Sequence, residues 1–242
     1  MIPHIVELDP STAGRLPEQE YTRLLGYPPG RLLKGDATIF GQEARSWCDK
    51  NARPWARART LEVLELRDHE VAWRSPDVGL SGVFHSTDLA NRLTHARAHA
   101  LIAVAVSAGA EVDAKVHRLH KSGAFVDASF LDRYAAALAE WVAAEVGRSL
   151  AEAVQPDRGT VLTSRSPGRE DWDLRDQAQL FASLGIESAD VEMTDGGMLR
   201  PVNSLLTTFG ITRDKLTLGQ LGTIPCETCT WSPCRFRRIN RD

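Results

Sequence analysis

The sequence predicts an α+β fold, on three observations. Ala100-Leu101-Ile102-Ala103-Val104-Ala105-Val106 is an unbroken apolar run with the length of a buried strand. Behind it, Leu131, Tyr134, Leu138, Trp141, Val142 and Leu150 recur at spacings near 3.6, as on a long helix with one apolar face. The β-branched and apolar stretch over 204–211 adds a further strand, so both element types are mixed along the chain.

The composition sets bounds on function. With 242 residues, 43% hydrophobic and 25% charged, the chain has the material for one large packed domain or two small ones. No stretch reaches the roughly 18 apolar residues of a membrane span, and the opening Met1-Ile2-Pro3-His4-Ile5 has no basic leader, so a cytoplasmic protein without a membrane partner is expected. A net charge of −3 argues against nucleic acid as a partner, although Arg235, Arg237, Arg238 and Arg241 form a local basic tail.

Taken in order, the first 80 residues read as a docking segment. Within it, a helix end over 21–27 is closed by Gly26 and stopped by Pro28 and Pro29. Leu61, Val63, Leu64, Leu66, Val71 and Trp73 suggest one or two strands over 60–73. A body over 81–218 follows. Ser86 or Thr87 is the expected N-cap before Leu89, Leu93 and Ala96, and the buried strand at 100–106 ends at Gly109. Helices are expected over 110–121 and 129–153. Pro156 and Gly159 break the second of them. Residues 163–174, polar and bearing Pro167 and Gly168 between regular elements, make a functional-loop candidate. Another helix is expected from about Asp173, with Leu174, Ala178, Phe181 and Leu184 on one face and Gly185 at its end, then a Gly196-Gly197 turn.

The tail over 219–242 gathers three of the four cysteines. Cys226, Cys229 and Cys234 fall within nine residues, and a C-x2-C turn lets two thiolates face one ion, so zinc or an iron–sulfur cluster is expected, with Cys48 as the candidate fourth ligand. A Cys226–Cys229 dithiol or a disulfide pinning the tail is the alternative. Other polar groups give weaker signals. His95 with His99, and His117 with His120, lack the Glu spacing of a zinc hydrolase and read as solvated helix faces. Glu192 and Asp195 read as a solvated turn rather than an acid–base pair. Ser164-Arg165-Ser166-Pro167-Gly168 is no nucleophile elbow, because the glycine two residues before the serine is missing. Trp172 is either a core anchor or a stacking platform beside the loop. No catalytic acid, base or nucleophile is assigned.

The order Ser166-Pro167-Gly168, Asp171-Trp172, Leu174, Gln177, Phe181, Leu184-Gly185, Thr194, Met198, Pro201, Ser204 and Gly210-Ile211 resembles the activation domain of vitamin B12-dependent methionine synthase, and its stand-alone homologues most. Ala108-Gly109-Ala110-Glu111-Val112-Asp113, the stretch 132–140 and the cysteine-rich end extend the likeness across about 85–238, and Leu24-Leu25-Gly26-Tyr27 matches loosely before it. The resemblance implies a mixed or antiparallel sheet flanked by helices. It also implies an accessory protein that docks on a corrinoid-binding methyltransferase and assists reductive methylation of its cobalamin, with S-adenosylmethionine as methyl donor and a flavodoxin or ferredoxin as electron donor. The implied ligand-facing residues are Ser164, Arg165, Pro167, Gly168, Arg169, Trp172, Gly196 and Gly197.

The chain departs from the family where S-adenosylmethionine is held. Ser164 stands where the family has an Arg, Arg169 where it has a Tyr, and Ala136 where it has an acidic residue on the long helix, with Glu140 one turn further on the same face. Arg165 is offset by one residue, which in an extended loop turns its side chain to the opposite side. Weak S-adenosylmethionine binding is therefore expected. The competing function is a non-enzymatic interaction module, stabilised by zinc or an iron–sulfur cluster, that has lost this ligand.

Overall fold

The computed structural model describes residues 16–154, 159–186, 191–214 and Cys234. The chain order is α1 (Glu18–Leu24), α2 (Asp36–Asn51), β1 (Trp55–Arg67), β2 (Glu70–Ser75), β3 (Leu80–His85), α3 (Thr87–His95), β4 (Ala100–Ser107), α4 (Ala110–Lys121), α5 (Phe125–Val154), β5 (Thr160–Val161), α6 (Asp176–Ser183), β6 (Glu192–Met193), β7 (Leu199–Arg200) and β8 (Ser204–Thr212). Six strands form one sheet in the order β3-β2-β1-β4-β8-β5, with every pairing antiparallel. Strands β6 and β7 make a separate hairpin.

Strand β4 is buried at all eight positions because both faces of the sheet are covered. Side chains alternate across a strand, so Ile102, Val104 and Val106 enter one cluster with α1, α2 and α5, while Leu101, Ala103 and Ala105 enter a second with α3, α6 and the β2–β3 hairpin. This is why the run is continuously apolar rather than alternating. The first half of β1 pairs with β4 and the second half with β2, meeting at Glu62, and a register shift follows between Val63 and Glu65. A bulge of this kind bends the strand and re-aims the β2–β3 hairpin.

Helix α5 spans 30 residues and carries α1, α2 and α4 on its flanks. It approaches β8 closely at Gly147, where an added Cβ would stand 2.8 Å from the Phe209 ring. None of the described helices is long and apolar enough to cross a membrane.

Several expectations change. The boundary at residue 80 falls at the first residue of β3, and β1 is hydrogen-bonded to β4, so residues 55–80 are part of the sheet and not a segment docked on it. Helix α5 begins at Phe125, four residues before the expected start. In α6 the buried positions are Asp176, Leu180 and Ser183, while Leu174 is 60% exposed ahead of the helix. His99 lies beyond the end of α3, so it shares no helix face with His95. Gly26 and Gly185 adopt the positive φ expected of helix-ending glycines.

Candidate functional site

After β5 the chain runs beside β8 and stays extended until Arg165. Leu162 N donates to Gly210 O at 2.9 Å, and Arg165 and Thr208 exchange backbone bonds of 2.9 and 2.7 Å. The Thr207 hydroxyl adds a bond of 3.0 Å to Arg165 O. Pairing with β8 decides where the next side chain goes. Arg165 turns inward, is 6% exposed, and donates from Nε to Asp88 Oδ2 at 2.6 Å, while Arg92 grips the same carboxylate at 2.9 and 3.0 Å. Arg165 is thus a structural tie to α3. Ser164 is half-buried, and its carbonyl accepts from Arg165 Nη1 at 2.9 Å.

The chain then turns tightly through Ser166-Pro167-Gly168-Arg169. Pro167 is buried, Arg169 N donates to Ser166 O at 3.3 Å, and Gly168 N donates to Trp172 O at 2.9 Å. Gly168 has φ +77°, a conformation that disfavours any residue with a Cβ, and an added Cβ would press on Leu174 Cδ1 at 2.9 Å. Arg169, 63% exposed, places Nη2 3.7 Å from Glu140 Oε1 on α5. Glu140 Oε2 in turn accepts from Arg23 Nη2 of α1, and Arg23 Nε also donates to Glu20 at 3.1 Å. Burial disfavours a charged Arg23, but Glu140 and Glu20 outweigh it and raise its pKa. Four charges from three elements therefore meet at this end of the loop.

The other arm of the loop is pinned by carboxylates. Asp171 accepts from the Ser86 hydroxyl at 2.8 Å and from the backbone N–H groups of Thr87 and Asp88 at 2.6 and 3.1 Å, capping α3 from outside. Burial pushes this carboxyl up, yet these hydrogen bonds prevail and hold its pKa below the usual value. Ser86 also caps its own helix, accepting from Leu89 N at 3.0 Å. Asp176, 2% exposed, accepts from Trp172 Nε1 at 3.0 Å, His85 N at 2.5 Å and Gln179 Nε2 at 3.1 Å, and its Oδ1 lies 3.3 Å from His85 Nδ1. Trp172 is 3% exposed and meets Phe84 edge-on at 5.2 Å, so it is a core anchor and presents no face for stacking.

The Gly196-Gly197 turn closes the β6–β7 hairpin. Gly197 N donates to Thr194 O at 2.8 Å, and Gly197 O accepts from Gln177 Nε2 at 2.5 Å. Gln177 lies three residues beyond Leu174, whose side chain stands beside Gly168, so the two glycine turns share one surface. Leu174 and Met198, exposed by 60 and 62%, give that surface its apolar character.

The structure thus brings Arg169 of the Pro167-Gly168 turn to Glu140, ties Gly197 to Gln177, and commits Arg165 and Trp172 to the interior. Cys48 is fully buried on α2 within the first core cluster, and burial, with Asp49 adding to it, pushes its thiol up to about 12. Cys226 and Cys229 lie outside the described residues, and among the described residues no three His, Cys, Asp or Glu side chains converge on a metal-sized site. Arg23 was not anticipated, since it reaches Glu140 across 117 positions and its own helix carries no sign of that partner. A concavity of about 510 Å³ along α2, lined by Ile39, Gln42, Glu43, Ser46 and Trp47 among others, shares no residue with the loop.

No protein-family profile matches the chain, and no curated protein matches it. Among solved structures the chain is similar to the MetH reactivation domain bound to AdoHcy, with a TM-score of 0.64 and 14% identity over 90% of this chain and 83% of that one. At that identity the likeness speaks for the fold, which is therefore that of the MetH reactivation domain: an antiparallel sheet with helices on both faces and the Pro167-Gly168 turn at its edge.

Proposed function

We propose that the protein is an accessory module, related in role to the methionine synthase activation domain, that docks on a corrinoid-bearing methyltransferase and assists its reductive remethylation. The observation that carries this reading is the Pro167-Gly168-Arg169 turn set against Glu140 on a fold shared with a domain that binds AdoHcy. The partner's corrinoid supplies a cobalt that, when reduced, is a strong nucleophile towards a methyl donor. This chain supplies position and charge. Gly168, Gly196 and Gly197 let backbone approach a flat ligand, while Leu174 and Met198 offer an apolar surface beside them.

S-adenosylmethionine binding is expected to be weak. Ser164 supplies no cation and Arg165 is spent on Asp88, so the charge-assisted fork expected for a ligand carboxylate is lost. Such a fork contributes about 1.5–3 kcal/mol, or roughly ten- to hundredfold in affinity. The ligand-facing set proposed is Pro167, Gly168, Arg169 and Gly197, joined by Glu140. For the tail, the spacing of Cys226, Cys229 and Cys234 supports a shared zinc or iron–sulfur site, with a flavodoxin or ferredoxin as electron donor. Metal content is the check there: Cys229→Ser should lower it, and equal content in both proteins would remove the site.

The docking surface is tested by pull-down with a corrinoid methyltransferase. Gly168→Glu places a charged side chain at a positive φ in the middle of the surface and should abolish capture, whereas His117→Glu on α4 should leave it intact. Equal capture of both variants would misplace the surface.

A further inference from the structure

Arg23 is the buried end of a line of charges that joins three elements far apart in the chain. Its side chain is 9% exposed; it donates to Glu20 on α1 and to Glu140 Oε2 on α5, while Glu140 Oε1 lies 3.7 Å from Arg169, whose side chain is 63% exposed. A guanidinium is retained in an interior when it is paired and hydrogen-bonded, as Arg23 is on both sides. Arg169 is the exposed end of the same line, at the turn where Gly168 leaves the backbone uncovered.

We infer that Arg23 is a positioning residue of the candidate ligand site: through Glu140 it holds the Arg169 guanidinium beside the Pro167-Gly168 turn, where that guanidinium receives the carboxylate of the ligand. The inference rests on the ligand-loop reading above and adds the α1 residue that fixes the loop's geometry. Recognition of a carboxylate by a guanidinium is directional and bidentate. A long side chain ranging through solvent recognises poorly, because its rotamer freedom is lost only on binding. The ion pair with Glu140 restricts Arg169 beforehand, and Glu140 can do so only while its own carboxylate is fixed. Arg23 fixes it from the side facing the core. In this arrangement Arg169 supplies part of the charge that Ser164 lacks, short of the fork that a guanidinium at position 164 would make.

The test is calorimetry of the full chain with two probes, S-adenosylhomocysteine and methylthioadenosine, which share the adenosyl thioether but differ in the amino-acid carboxylate. The wild type should bind the first about tenfold more tightly than the second. Arg23→Met should bring that ratio close to one while leaving the methylthioadenosine affinity unchanged, and Arg23→Lys should restore part of it. Because Arg23→Met removes a buried cation that both Glu20 and Glu140 contact and can impair folding, Arg23→Met with Glu140→Gln lowers the uncompensated charge and should collapse the ratio in the same way. A wild-type ratio persisting in both Met variants, with only the melting temperature lowered, would make Arg23 purely structural and overturn the inference. Equal binding of the two probes by the wild type would overturn it while sparing the adenosyl site. Binding of neither would overturn the ligand-loop reading and the inference together.

Discussion

Trp172 packs edge-on against Phe84 and donates its indole N–H to buried Asp176, so truncating it removes both a large apolar surface and the partner of a buried carboxylate. Trp172→Ala should cost about 3–5 kcal/mol in urea unfolding. Leu174→Ala, two residues on and 60% exposed, should stay within about 0.5 kcal/mol. Equal effects would mean that the loop is not anchored as described. Composition could not decide between core and stacking roles for Trp172, because both use the same aromatic ring beside a glycine turn. The choice was made by Phe84 and Asp176, neither of which is marked as its partner in the sequence. Cys48 gives a second case. With its thiol raised to about 12 by burial, it should resist alkylation at pH 8 in the folded protein and react once urea unfolds the chain. Mass spectrometry of the labelled peptide reads this directly, and rapid labelling of the native protein would contradict the placement.

Helix α3 is held from outside by Asp171 and from within by Ser86, and the outside contact is what fixes the far arm of the Pro167-Gly168 loop. The Asp171 pKa is depressed in the folded state, so its contribution to stability is present above the ordinary carboxylate value of about 4 and is lost as pH falls through the lower folded value. Asp171→Asn should therefore lower the melting temperature at pH 6 to 7, and the gap to wild type should close below about pH 4. A gap independent of pH would exclude the carboxylate as its source. Elements were legible in proportion to the size of what they bury. Strand β4 and helix α5 have long apolar runs and stripes, and α4 falls on its expected span. Helix α2 escaped notice because its buried face is Gly41, Ala44 and Cys48, too small to mark a period. Strand β3 buries Phe84 with half-buried neighbours, and Gly82 lies under the Trp73 ring, where an added Cβ would come within 2.8 Å.

For the molecule as a whole, the order of motifs along the chain carried the fold, whereas the division at residue 80 did not survive, because a strand's sheet partners are set by tertiary pairing. The proposed ligand site was half legible. Pro167 and Gly168 mark their own turn through backbone requirements, and Arg169 and Glu140 lie on expected elements, but Arg23 is joined to them across 117 positions by a contact that local pattern cannot encode. The fold is that of the reactivation domain, and the proposed function adds that altered charges weaken a hold on S-adenosylmethionine. Titration calorimetry of the wild type and of Ser164→Arg with Arg169→Tyr tests it most directly. A wild-type dissociation constant well above micromolar is expected, with a tightening of at least about tenfold in the double variant. Micromolar or tighter binding by the wild type, or no gain in the variant, would contradict it.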